Sequence, residues 1–267
     1  PLLWNGILSF QFWSPYKPPE LAGLYHYEEM LMYDDAFWQV LWNTIVLMAS
    51  APVGIALALF IAILVNTRIR GRDIYRTIVF LSYPVMTVAV GIIWQWLYNE
   101  KVGLFNYILM SLGITDKGIP FLQSFDLALP SVIVASIWQV IGFYMVILLT
   151  GLQSIPPSLY ESAAIDGCSY PRFVFRILMP LIKPAIATVT VLHAIGIWNE
   201  IILPTIYLTN ADYYPITRGL VVFEGVYGSN WPGLAAAVLM LALPMVILVL
   251  LLQRHIISGL TGGAVKG

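Results

Sequence analysis

The sequence predicts an all-α integral membrane protein, with five full membrane-spanning helices and the end of a first one. Three observations carry this. Hydrophobic residues make up 60% of the 267 positions and charged ones 10%, whereas soluble domains carry about 25% charged residues. Mean hydropathy is +0.83. The apolar residues fall in uninterrupted runs long enough to cross a bilayer, which takes about 20 residues of helix.

The opening run, PLLWNGILSFQFW, is about half a span long. It has neither a basic n-region nor a small-residue cleavage site, so it reads as the outer end of a first helix rather than a signal peptide. With it the core would hold six spans. Residues 14–35 carry Pro15, Pro18, Pro19, Glu28, Glu29, Asp34 and Asp35 and are expected to form an ordered extracytoplasmic segment. The chain thus divides into 1–36, the helix end plus this segment; 37–254, the transmembrane domain; and 255–267, a cytoplasmic C-terminal tail.

Within the transmembrane domain the spans are expected at 37–65, 77–99, 127–153, about 177–208 and 233–253. Asn43-Thr44 and Ser82-Tyr83 are assigned to helix packing. Residues 102–113 alternate like a short amphipathic helix at the outer interface. Residues 210–230, with Tyr213, Tyr214, Pro215, Phe223 and Tyr227, form an aromatic outer loop that is either an interfacial belt or a docking surface. Pro52, Pro84, Pro180, Pro184, Pro204 and Pro244 lie in or near spans, where each removes a backbone donor and can kink its helix.

Basic residues orient the bundle. Arg68, Arg70, Arg72, Arg76, Arg172, Arg176, Lys183, Arg254 and Lys266 fall on one side if spans alternate, against Lys17, Lys101, Lys117 and Arg218 on the other. Positive residues concentrate on the cytoplasmic side. That places 159–184 and the C-terminus in the cytoplasm.

Residues 159–184, LYESAAIDGCSYPRFVFRILMPLIKP, form a charged island between two apolar runs. Pro156 and Pro157 break the preceding element, and Ser158 with Glu161 has the spacing of a capping box. Gly167 offers a C-cap position, and a second helix is expected from about Pro171. Two short helices on a membrane surface make a knob that a soluble partner can grip. Glu161-Ser162-Ala163, Gly167 and Ile177-Leu178-Met179-Pro180 resemble the cytoplasmic Glu-Ala-Ala loop of membrane subunits of binding-protein-dependent ABC importers. Ser162 stands where that pattern has its first Ala, and Met179 where it has Leu. Asp166 before Gly167, and the tail Gly259-Leu260-Thr261-Gly262-Gly263-Ala264-Val265-Lys266-Gly267, are similar to the carbohydrate-importing branch.

The resemblance implies a six-helix importer permease core with a cytoplasmic coupling helix. The coupling residues would be Glu161, Ser162, Ala163, Asp166, Gly167 and Pro180, with Ala163 and Gly167 small enough to let the helix seat in an ATPase groove. It further implies a second, related permease subunit, two ATP-binding cassette subunits and an extracytoplasmic sugar-binding protein, in a prokaryotic inner membrane.

The chain carries no G-x-x-x-x-G-K-[ST], and none of its five lysines follows a glycine. ATP and Mg would therefore be used by partner subunits and no cofactor bound by this chain. His26, His193 and His255 are too scattered for a zinc site, Cys168 is the single cysteine, and no basic run suggests nucleic acid. No catalytic residue is expected. Polar groups within spans are costly and mark cavities or partners. Gln95, Gln139, Tyr144, His193, Asn199 and Glu200 are therefore candidates for a sugar path, as amides and aromatic rings suit hydroxyls and C–H faces. Helix–helix hydrogen bonds are the competing role. An ion-coupled secondary transporter would need several buried carboxylates and inverted repeats; Glu200 is the one candidate carboxylate and no repeat is visible. A membrane scaffold without transport would need no polar path.

Overall fold

The computed structural model describes residues 2–14, 17–67, 70–220 and 230–261. Helix α1 (Leu2–Leu8) leads into an antiparallel hairpin, β1 (Gln11–Ser14) and β2 (Lys17–Leu21), with Gln11 opposite Leu21. Helix α2 (Tyr25–Tyr33) closes on it. The Ser9 and Tyr27 hydroxyls lie 2.7 Å apart, the Phe10 ring packs on Tyr27, and His26 Nε2 meets the Gln11 carbonyl at 3.2 Å.

Helices α3 (Asp35–Met48) and α4 (Ala51–Asn66) supply a 32-residue apolar stretch. Asp34 Oδ1 accepts from the Ala36 and Phe37 amides, satisfying orphan donors at the start of α3. The expected span 77–99 is broken. Helix α5 (Arg72–Phe80) stops, 81–86 turn, and α6 (Thr87–Leu97) resumes. Pro84 accounts for the break, since it has no N–H and biases Tyr83 away from helical backbone. Helix α7 (Leu104–Ser111) lies where the alternating pattern predicts one. Helix α8 (Ala128–Gln153) is the longest helix before the C-terminal one.

Helix α9 (Pro157–Ile165) is followed by α10 (Tyr170–Leu181), which contains a π-turn at Val174–Leu178. Helix α11 (Lys183–Trp198) leaves at 74° to α10. Here too the expected run 177–208 is not continuous. Pro180 cannot donate to the Arg176 carbonyl, so the ladder loosens into the π-turn, and Pro184 removes a second donor beyond Ile182. Helix α12 (Ile202–Tyr207), a helical stretch at 216–220, and α13 (Trp231–Thr261) complete the order. Among the described residues, Asp35–Asn66, Ala128–Gln153 and Trp231–Leu251 are each long and apolar enough to cross a membrane. The bent pair α10–α11 makes a fourth if it counts as one span.

The chain forms two compact units: Pro1–Met48, Thr87–Ala135 and Gly196–Leu248; and Ala49–Met86, Ser136–Ile195 and Val249–Gly267. In the first, Asn43 Nδ2 donates to the Asp212 and Tyr214 carbonyls, and Thr44 Oγ1 accepts from the Ile216 amide at 2.8 Å. Asn43 and Thr44 thus tie down a loop, where helix packing was expected. Tyr213 and Tyr214 are buried, so neither forms part of an exposed docking loop; Phe223 and Tyr227 lie outside the described residues. Asn106 is fully buried and bridges the Asn99 and Ile119 carbonyls while accepting from the Ile119 amide. Sequence reading passed over it.

The second unit has a core of Ile55, Leu59, Tyr144, Met145, Leu148, Leu152, Phe173, Leu178, Ile182 and Val189. Ser82 Oγ donates to the Val79 and Gln139 carbonyls, and Tyr83 stacks on Phe143 at 4.4 Å. This is the helix packing expected of Ser82-Tyr83. A Cβ at Gly142 would collide with the Val79 carbonyl, so glycine there lets α8 approach the end of α5.

Candidate functional site

Helix α9 begins at Pro157, whose fixed φ suits a first helical residue. Ser158 is therefore inside the first turn, and the expected capping box does not form. Glu161 is the fifth residue, beyond the turn in which the helix dipole acts appreciably. The C-terminus matches expectation. Gly167 takes φ +65°, and the Cys168 amide donates to the Ala163 carbonyl at 3.0 Å, while the Asp166 amide donates to Ser162. This is a Schellman-type ending, and it consumes carbonyls that would otherwise be unpaired.

The two faces of α9 differ. Leu159, Glu161, Ser162, Ile165 and Asp166 are exposed, Ile165 by 84%. Tyr160 packs against Phe173 at 5.2 Å and its hydroxyl donates to the Leu152 carbonyl at 3.5 Å. Burial pushes the Tyr160 phenol up, a hydrogen bond with Asn66 opposes that, and Tyr170 adds to it. Ala163 is only 9% exposed and belongs to the unit's own core. The expectation that Ala163 seats in a partner's groove is corrected: at three residues from Tyr160 it shares the inward face. The outward stripe is Leu159, Ser162 and Ile165–Asp166, legible as i, i+3 and i+4 spacing that the sequence reading left unused. Pro180 is exposed beyond the π-turn.

The polar candidates occupy different settings. In the second unit Tyr144 and His193 are both buried, with the Tyr144 hydroxyl 3.0 Å from His193 Nδ1 and the rings edge to face. His193 Nε2 has no hydrogen-bond partner. Gln139 Nε2 donates to the Val85 carbonyl at 3.3 Å. In the first unit Gln95 is exposed and donates to the Ile206 carbonyl at 3.4 Å. Glu200 Oε1 accepts from the Ile202 and Leu203 amides at 2.8 and 3.1 Å, so its carboxylate holds the start of α12. Asn199 is exposed. Of these candidates, Tyr144 and His193 are in direct contact. No group of three His, Cys, Asp or Glu among the described residues is arranged to hold a metal.

Comparison with known proteins fits this picture. The sequence profile of the binding-protein-dependent transport system inner membrane component matches residues 36–261. A probable ABC transporter permease of Pyrococcus horikoshii is 33% identical over 194 residues, which is 72% of this chain and 66% of that protein. The trehalose/maltose transport system permease MalF of Thermococcus litoralis is 34% identical over 188 residues, 68% of this chain and 60% of that one. The chain thus spans about two thirds or less of the length of these relatives. The crystal structure of a bacterial ABC transporter involved in the import of the acidic polysaccharide alginate superposes with a TM-score of 0.75. It is 25% identical, covering 94% of this chain and 88% of that chain. A family match over this range, with apolar helices of spanning length beneath it, marks a multi-pass inner-membrane protein. The chain belongs to the family of inner membrane components of binding-protein-dependent transport systems.

Proposed function

We propose that the chain is a transmembrane permease subunit of an ATP-driven importer of sugars or oligosaccharides, and that it forms half of the translocation pathway. The observation that carries this is α9: a short helix outside the spans, anchored on one face by Tyr160 and Ala163, closed by Gly167, and exposed on the other. An anchored helix with a free apolar-and-acidic face is suited to transmit motion from a soluble partner. Two ATP-binding cassette subunits would bind ATP and Mg and grip α9 in the cytoplasm, with the C-terminus on the same side. A second, related permease subunit would complete the pathway, and an extracytoplasmic binding protein would deliver the substrate.

The carbohydrate class rests on relatives whose names include trehalose/maltose and diacetylchitobiose uptake. Tyr144 and His193 would offer hydroxyls polar partners in the second unit, and Gln95 and Asn199 would do so in the first. Vesicles holding the chain with its second permease and two ATPase copies should take up sugar only with ATP inside and binding protein outside. Equal uptake by the chain alone, or uptake driven by an ion gradient without ATP, would overturn the proposal.

A further inference from the structure

The second unit carries an apolar groove of about 460 Å³ between α4 and the α10–α11 segment. From α4 it is lined by Ile55, Leu59, Phe60 and Ile63, and from the other side by Phe175, Met179 and Ile186 among others. Thr190 is the one polar liner, and its hydroxyl is already bonded to the Ile186 carbonyl. Phe60 and Phe175 are 60% and 67% exposed, so the groove opens outward instead of closing as a core. Its length follows from α4: from Ala51 to Ile63 is roughly 18 Å at 1.5 Å per residue. The hydrocarbon core is about 30 Å thick, so the groove spans about one leaflet.

One end of the groove is charged. Arg172 and Arg176 flank the lining residues Val174 and Phe175 at the end of the segment nearest α9, and Lys183 follows the bend between the lining residues Met179 and Ile186. All three cations are exposed. The ion pairs found among the described residues involve Arg72 and Arg76 with Asp73, and none of these three. An apolar channel one leaflet long that ends in unpaired cations is complementary to one acyl chain under an anionic head group.

We propose that this groove is a binding site for an anionic phospholipid of the cytoplasmic leaflet, with one acyl chain between α4 and α10–α11 and its phosphate at Arg172 and Arg176. The site rests on the orientation proposed above, which puts Arg172 and Arg176 in the cytoplasm. A lipid seated there would brace the π-turn and the 74° bend that follow α9, on a segment that α9 packs against through Tyr160 and Phe173.

The test uses the complete permease complex in nanodiscs containing phosphatidylglycerol or phosphatidylcholine with a photoreactive diazirine in the acyl chain. Crosslinked peptides are mapped by mass spectrometry. Phosphatidylglycerol should label 55–63 and 174–190, and Arg172→Gln with Arg176→Gln should lower that labelling about twenty-five-fold, as each basic residue near the surface is worth roughly fivefold in anionic-lipid occupancy. Phosphatidylcholine labelling should be weak and indifferent to the substitutions. Equal labelling by both lipids, labelling insensitive to both substitutions, or a groove protected by a second permease chain would each overturn the proposal. The readout needs no transport, so a failed uptake assay leaves it standing, and a failed crosslink leaves the importer reading standing.

Discussion

The backbone amide of Cys168 reaches across Gly167 to the carbonyl of Ala163 at 3.0 Å, and this bond ends α9. It requires φ +65° at Gly167, where nothing lies within 4 Å of an added Cβ. Gly167→Leu should therefore strain the backbone without an internal clash, costing about 1–2 kcal/mol locally. Membrane abundance should hold while binding-protein-stimulated ATPase activity and uptake fall together. Gly167→Asn, which tolerates this conformation better, should retain more of both. Normal uptake by Gly167→Leu would show that the ending of α9 is not part of coupling.

The two faces of α9 should fail differently. Ile165→Glu alters only an exposed position, so the protein should insert normally yet lose copurification with its ATPase. Ala163→Leu overpacks the core against Tyr160 and Phe173, at a cost of about 1–3 kcal/mol, and should lower the Tm of the purified subunit. If Ile165→Glu lowers Tm and Ala163→Leu does not, the faces are assigned the wrong way round.

Tyr144→Phe would leave His193 Nδ1 buried without its partner, a loss of about 1–3 kcal/mol. The same holds for the Tyr144 hydroxyl in His193→Leu. Together the two should cost less than the sum of the singles, because each already removes the shared bond. Thermal unfolding of the four proteins gives the coupling; strict additivity would mean the pair is not bonded.

Asn43→Leu would strip the Tyr214 carbonyl of its donor, leave the Asp212 carbonyl only Gln39 Nε2, and loosen the loop that α3 holds. Limited proteolysis within 210–216 should accelerate severalfold with little change elsewhere. Unchanged cleavage would mean that Thr44, through Ile216, and Gln39, through Asp212, hold the loop without Asn43.

Much of this fold is legible in the sequence, and the reasons for the exceptions are local. Charge-free length announces 37–65, 127–153 and 233–253, within two residues of the helices found, because length and apolarity are what a bilayer selects. The same signal cannot see the interruptions at 81–86 and at Ile182. Hydropathy counts Pro84, Pro180 and Pro184 as neutral, whereas the helix counts them as missing donors. Gly167 was readable because one residue type dominates left-handed helix ends. Glu200 was not readable as a helix start, since carboxylates that hold amides and carboxylates that line a path look alike in a string. Ala163 shows a related limit: a small residue fits both a partner's groove and its own core, and only Tyr160 on the same face decides between them.

The orientation has its own check. Arg70 is exposed between α4 and α5, and in a Cys168→Ser background Arg70→Cys should be labelled only from the cytoplasmic side. Labelling of intact cells by an impermeant reagent would invert the topology.

The most direct test of the account is site-specific crosslinking from α9 in the complete transporter, again in a Cys168→Ser background. Ser162→Cys and Ile165→Cys, on the outward stripe, should each form an adduct with the ATPase chain through a short bifunctional thiol–amine reagent. Ala163→Cys, facing the subunit's own core, should form none. Adducts at Ala163→Cys equal to those at Ile165→Cys, or adducts of Ser162→Cys with an extracytoplasmic binding protein, would contradict the account.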